Sequence, residues 1–299
     1  MSAISTIALL FCLGLGCLPS LVSSLSLGSK KIRAISLDVT GTLLATKEPV
    51  IKSYHDAAIW AKLPNPPTQD ELKKGFKLAF KERCIESPCY GGVEEISGRE
   101  WWRETVARVL HHANVEYSEH DFDRYFRRVY QHFASPGGYT LLDDAKNLLD
   151  SLSSSDEVLM GITSNTPTRH METVLPMLDI HNHFKWFSCS QDIGHEKPSL
   201  EIYEASFVQA RFWIPDLLPE EVLHIGDSYA ADYCGAKRFG FQALLLDRSD
   251  NPSVVAYQDW LEAPDYDGKT VEEVQGNTIT SLDVVASMLS APKTLDVIV

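Results

Sequence analysis

An apolar run, Ile35-Ser36-Leu37, delivers a carboxylate straight into a glycine turn, Asp38-Val39-Thr40-Gly41-Thr42. A short apolar run of this kind reads as a buried strand. A strand that ends in Asp before a Gly turn places the acid at the rim of a sheet, where open α/β folds bind ligands. The same grammar recurs further along the chain. Residues 158–162 form an apolar run that ends in Thr163-Ser164-Asn165, hydroxyls and an amide at a strand-to-helix junction, suited to binding an anion. Gly194-His195-Glu196-Lys197-Pro198 follows another strand-like segment, and Pro198 keeps Lys197 in extended backbone, out of a helix interior. Val222-Leu223-His224-Ile225 then leads into Gly226-Asp227-Ser228, with Asp232 on the following turn. Taken singly, each stretch has an ordinary reading as a turn, a helix cap or a solvated lysine. Their shared order points to one site. Asp38, Asp227 and Asp232 form an all-oxygen ligand set of the kind Mg²⁺ prefers.

Strand and helix patterns alternate from residue 144 onward, which argues for βα units and a parallel sheet. Strands are expected over 32–37, 158–163, 185–189, 222–225 and 242–246. Helices are expected between them, over 141–151, 169–178, 200–209 and 232–239, the last ended by Gly240. From 48 to 138 the strand pattern vanishes. Helical periodicity covers 53–62, 69–84, 100–112 and 118–133, punctuated by Pro64, Pro66, Pro67, Pro88 and Pro136. The fold class is therefore α/β: a Rossmann-like parallel sheet of about five strands with an inserted all-helical unit. The expected divisions are a core of 30–50 with 138–299 and an insertion of 51–137. A last helix over 280–289 is expected to dock on the core.

The four motifs together resemble the haloacid dehalogenase-like superfamily, over roughly 31–248. The stretches Pro88-Cys89-Tyr90-Gly91, Ser97-Gly98-Arg99-Glu100-Trp101-Trp102 and Gly226-Asp227-Ser228-Tyr229 with Asp232-Tyr233 resemble its group called haloacid dehalogenase-like hydrolase domain-containing protein 3. The resemblance implies a capped phosphohydrolase. Asp38 would be the nucleophile that forms an aspartyl-phosphate, and Lys197 would neutralise developing charge. Ser164 and Asn165, with backbone N–H groups through Gly41 and Thr42, would bind the phosphate. Asp38, the Thr40 carbonyl, Asp227 and Asp232 would hold Mg²⁺, Asp232 directly or through water. The insertion would be a cap that closes over the site, with Trp101 and Trp102 as lining candidates. The alternative for that pair is one Trp in the cap's own core and the other half exposed.

Thr40 departs from the family's phosphatases, which carry an acid two residues after the nucleophile. Such an acid protonates the leaving oxygen and is worth ~10²–10⁴-fold. Threonine does not titrate near neutral pH, so slow turnover, or turnover of good leaving groups only, is expected. A catalytically weak phosphate-binding relative is the second reading. A true dehalogenase is the third, disfavoured because such enzymes carry Tyr in place of Thr40.

The formal net charge is −14, which leaves no basic stripe for nucleic acid. A small phosphorylated substrate must be attracted by local cations, Lys197 and Arg169, and by the metal. Arg124, Arg127 and Arg128 read as the solvated face of an amphipathic helix. Residues 2–29 carry no charge, and 7–18 are nearly all apolar. The segment 1–29 is expected to direct the chain to the secretory pathway or an organelle (plastid or mitochondrion), with a retained membrane anchor as the alternative. Without a working leader the protein would be cytoplasmic or nuclear. Of six cysteines, Cys84 and Cys89 are spaced to bridge in an oxidising compartment; reduced thiols are the default, and zinc ligation lacks a C-x-x-C pair.

Overall fold

A computed structural model describes residues 28, 30–153, 157–249 and 276–290. Its strands in chain order are β1 (Ala34–Leu37), β2 (Leu44–Thr46), β3 (Tyr139–Leu141), β4 (Leu159–Ser164), β5 (Phe184–Cys189), β6 (Val222–Gly226), β7 (Gln242–Leu246) and β8 (Thr278–Ile279). Six of them form one parallel sheet in the order β5-β4-β1-β6-β7-β8. Ala34 of β1 pairs with Leu159 of β4 on one side and Val222 of β6 on the other. The nucleophile candidate thus leaves the centre of the sheet, where the strand order reverses. β1 is buried at every position, as a central strand covered by helices on both faces must be.

The helices are α1 (Val50–Trp60), α2 (Gln69–Glu86), α3 (Gly98–His112), α4 (Glu119–His132), α5 (Asp143–Ser153), α6 (a π turn His170–Val174 continued by Leu175–Met177), α7 (Ser190–Ile193), α8 (Leu200–Trp213), α9 (a π turn Tyr229–Cys234 continued by Gly235–Phe239) and α10 (Asp283–Ser290). The first four make the helical insertion. α2, α3 and α4 each open with a capping box, at Thr68/Glu71, Ser97/Glu100 and Ser118/Asp121. Their apolar faces meet in a core of their own around Tyr54, Phe76, Leu110, Tyr125 and Phe126. Trp101 is fully buried against Phe80, with its indole N–H donating to the Ser87 carbonyl at 2.7 Å.

The sheet has one strand more than the sequence pattern suggests. β8 comes from the tail and is only two residues long, too short to show a period. β2 and β3, three residues each, pair antiparallel through Leu44–Leu141, Ala45–Thr140 and Thr46–Tyr139. This two-stranded tie joins the chain where it leaves the core to where it returns. Leu282, just before α10, and Val285 within it pack against the core, and Leu282 N donates to Asp144 at 2.8 Å. No helix among the described residues is long and apolar enough to cross a membrane. The leader expected over 1–29 lies outside the described residues apart from Gly28.

Candidate active site

β1 carries Asp38 to the rim, and its N–H still bonds the Ile225 carbonyl of β6 at 3.0 Å, so the acid is fixed to the sheet. Asp38 Oδ1 accepts from Ser164 Oγ at 2.8 Å and from Lys197 Nζ at 2.7 Å. Both bonds fall on one oxygen, leaving Oδ2 as the atom free to react. Lys197 is almost wholly buried and also donates to Asp232 Oδ1 at 2.5 Å. A buried ammonium needs such partners: burial pushes its pKa down, but Asp232 and Asp38 outweigh that and raise it.

Asn165, expected to contact the anion, lines the cavity and also holds Lys197 in place. Its amide clamps the Lys197 backbone from both sides, donating to Lys197 O at 2.8 Å and accepting from Lys197 N at 2.6 Å. Asp232 is saturated as well. Besides Lys197, its Oδ1 accepts from His224 Nε2 at 2.9 Å, and its Oδ2 accepts from Ser228 N at 2.9 Å. Burial acts to raise the Asp232 pKa, yet Lys197 and His224 together hold it below the usual carboxylate range. For Asp227, burial with Asp38 and Asp232 nearby outweighs the pull of Lys197 and pushes its pKa well up. Burial raises Asp38 too, against the pull of Lys197.

Asp38, Asp227 and Asp232 present oxygens that lie within 4.8 Å of one another. Two buried carboxylates, Asp38 and Asp232, and the half-buried Asp227 share one ammonium, so the cluster carries excess negative charge that a divalent cation would offset. The all-oxygen set fits Mg²⁺. Two glycines allow the acids to come this close. A Cβ on Gly41, at φ +85°, would stand 2.2 Å from Asp227 Oδ2, and one on Gly226 would stand 2.1 Å from the Asp232 carboxyl carbon.

Asp38, Thr40, Ser164, Asn165, Lys197, Asp227 and Asp232 all line a cavity of about 740 Å³ between core and insertion. Gly41 and Thr42 are not on its wall. Thr42 is fully buried, and its carbonyl accepts from Arg248 Nη2 at 2.9 Å. Arg248 also bonds Asp144 at 2.9 Å, tying the Asp38 loop to α5. Two bonds close the roof: Tyr90 OH donates to the Asn165 carbonyl at 3.1 Å, and Arg169 Nη2 to the Tyr130 carbonyl at 2.6 Å. Trp102 lines the cavity while Trp101 does not, so the pair divides between lining and interior. His195 is exposed and away from the cavity. Cys84 and Cys89 are free thiols at the cavity wall, pushed up to about 12 and about 11 by burial.

Sequence reasoning missed His224 and Arg248. His224 is fully buried, with Nδ1 3.0 Å from Ser36 Oγ. Ser36 continues to Thr163 at 2.6 Å, and Thr163 to Ser206 at 2.6 Å, so a polar chain runs from the carboxylates under the sheet. The one signal was a histidine inside an otherwise apolar strand.

The family model for haloacid dehalogenase-like hydrolases matches residues 32–240. Haloacid dehalogenase-like hydrolase domain-containing protein 3 of Xenopus laevis is 28% identical over 224 residues, covering 75% of this chain and 87% of its own. A dehalogenase crystal structure superposes with a TM-score of 0.59 at 18% identity, covering 89% of this chain and 100% of that one. The HAD-hydrolase YfnB from Bacillus subtilis, solved bound to magnesium, gives a TM-score of 0.56 at 19% identity over 88% and 100% of the two chains. The parallel sheet, the helical insertion and the family match agree: this chain belongs to the haloacid dehalogenase-like hydrolases.

Proposed function

We propose that the protein is a Mg²⁺-dependent phosphomonoesterase that works through an aspartyl-phosphate on Asp38. The observation that carries this reading is the buried Asp38–Lys197–Asp232 array, with Asp227 beside it, on the floor of the cavity. A phosphoryl group brings negative charge, so a site of this kind must supply cations and donors in fixed positions. Ser164 and Lys197 hold Asp38 by Oδ1 so that Oδ2 faces the phosphorus. Asn165 and Asp232 fix Lys197 at its backbone and its ammonium. Asp38, Asp227 and the Thr40 carbonyl would hold the metal, with Asp232 as the buttress behind them, because its oxygens already accept three bonds. When bound, Mg²⁺ would neutralise charge on the phosphoryl oxygens and orient them. The magnesium in the YfnB structure supports this choice of ion.

Thr40 favours a second reading, a phosphate-binding relative with little turnover, since its hydroxyl cannot serve as a proton donor near neutral pH. Release of inorganic phosphate from para-nitrophenyl phosphate by the purified protein separates the readings. Release that needs Mg²⁺, stops with EDTA and is lost in Asp38→Asn supports the phosphatase. Release at wild-type level in Asp38→Asn removes the nucleophile, and no release in any condition favours the silent relative. Chloride release from a 2-haloacid, unaffected by EDTA, would favour dehalogenation instead.

A further inference from the structure

The cavity is chemically two-sided. Its floor holds the carboxylates and Lys197, whereas its roof is built from rings: Phe80, Tyr90, Trp102, Phe126, Tyr130 and Phe133. Phe80 sits 6.0 Å from Trp102, and Tyr90 is stacked 6.2 Å from the same indole, so these three rings form one continuous apolar wall. Arg169 sits over Tyr130, its guanidinium carbon 3.6 Å from the ring centre. Burial holds His170, also on the lining, neutral with a pKa of about 4.

Resting on the phosphatase reading, we propose that the substrate is an aryl phosphate, a phosphomonoester of a phenol whose ring packs against this wall. Thr46, Thr166 and His170 also line the cavity with polar atoms, but a sugar or polyol phosphate lying along the Phe80–Tyr90–Trp102 wall would press hydroxyls against ring faces, and each unpaired hydroxyl there would weaken binding. An aromatic ring gains by the same contact. The second observation is chemical and independent. Among the described residues, the only carboxyl lining the cavity besides the three clustered aspartates is Glu196, an exposed side chain near Cys84 and Cys89 whose pKa partial burial raises. Thr40, on the floor, cannot donate a proton to a departing oxygen. An ester then reacts well only if its leaving group departs as an anion. A phenol, with a pKa near ~10, does so far more readily than an aliphatic alcohol, whose pKa lies near that of water at ~16.

The step balances without an added co-reactant. Asp38 Oδ2 forms a bond to phosphorus while the phosphorus–phenol oxygen bond breaks, and the electron pair leaves with the phenolate. Water then attacks phosphorus and the Asp38–phosphorus bond breaks, restoring the carboxylate. The proton that water loses balances the one the phenolate takes up, giving phenol and inorganic phosphate.

The test is a panel of size-matched esters given to the purified protein with Mg²⁺: phenyl phosphates of graded phenol acidity, cyclohexyl phosphate and glucose 6-phosphate. Phenyl phosphate should exceed cyclohexyl phosphate in kcat/KM by at least ~100-fold, the lower limit of what a proton donor supplies. Within the phenyl series kcat/KM should climb steeply as the phenol becomes more acidic. Thr40→Asp should flatten that climb and raise cyclohexyl phosphate turnover, whereas Glu196→Gln should leave the slope as it is. Comparable rates for phenyl and cyclohexyl esters, or preference for the sugar phosphate, would overturn the aryl assignment while leaving a phosphatase standing. A slope that steepens in Glu196→Gln would also overturn it, by identifying Glu196 as the proton donor. No phosphate from any ester would remove both this proposal and the reading beneath it.

Discussion

At the residue scale, Asp38 is tethered by one oxygen so that the other is left to act, and the tethers come from elements far apart in the chain. Ser164→Ala removes one of the two donors on Oδ1. It should lower kcat by roughly 10- to 100-fold, about one charge-assisted hydrogen bond, with little change in the denaturation midpoint. Gly41→Ala is expected to do more. The added methyl meets the Asp227 carboxylate and forces a side chain into a left-handed backbone. A loss of about 1–3 kcal/mol in urea unfolding, together with lost Mg²⁺ response, is the expected outcome. Asp38, Lys197, Asp227 and Asp232 were legible in the sequence because each stands at a punctuated position: a strand end, a proline, a glycine turn. His224 and Arg248 were not. Their partners Ser36 and Thr42 lie 188 and 206 residues away, and no local pattern encodes a contact of that span. Asn165 was legible as a site residue, but its clamp on Lys197 depends on the fold.

At the scale of elements, the long amphipathic helices and the five longer strands of the sheet follow from hydrophobic period. α1 to α4 lie within a few residues of the expected segments, because capping residues and prolines mark their ends. β2, β3 and β8 escaped notice because two or three residues establish no alternation. The π turns that open α6 and α9 escaped for a related reason: one extra residue in a turn barely alters which side chains are apolar. The capping boxes supply a direct test of the insertion's local stability. Ser118→Ala removes the acceptor for Asp121 N and should cost about 1 kcal/mol, read as a lowered midpoint in thermal or urea unfolding. Trp101→Ala should cost far more, about 3–5 kcal/mol, since it empties a fully buried site and orphans the Ser87 carbonyl. A Trp101 variant as stable as wild type would contradict the packing described for the insertion.

At the scale of the whole molecule, the core and the insertion are each held by their own apolar cluster. The site forms where their surfaces face one another across the Tyr90 and Arg169 bonds. The carboxylate cluster is a local concentration of like charge, tolerated because Lys197 sits in its midst, and on the proposed reading a bound cation would offset the rest. Mg²⁺ at ~100 times its Kd should therefore stabilise the protein by about 2.7 kcal/mol, seen as a higher Tm that EDTA reverses. In Asp227→Asn the metal-free protein should melt higher than wild type, since one repelling charge is gone, and the Mg²⁺ increment should vanish.

The most direct measurement is an acid quench of the protein during turnover of para-nitrophenyl phosphate with Mg²⁺, followed by mass spectrometry of the peptide that carries Asp38. The expected result is a phosphoryl adduct on Asp38 that hydroxylamine removes and that is absent with EDTA or in Asp38→Asn. Steady phosphate release with no adduct on that peptide, or an adduct that persists in Asp38→Asn, would contradict the nucleophilic role of this residue.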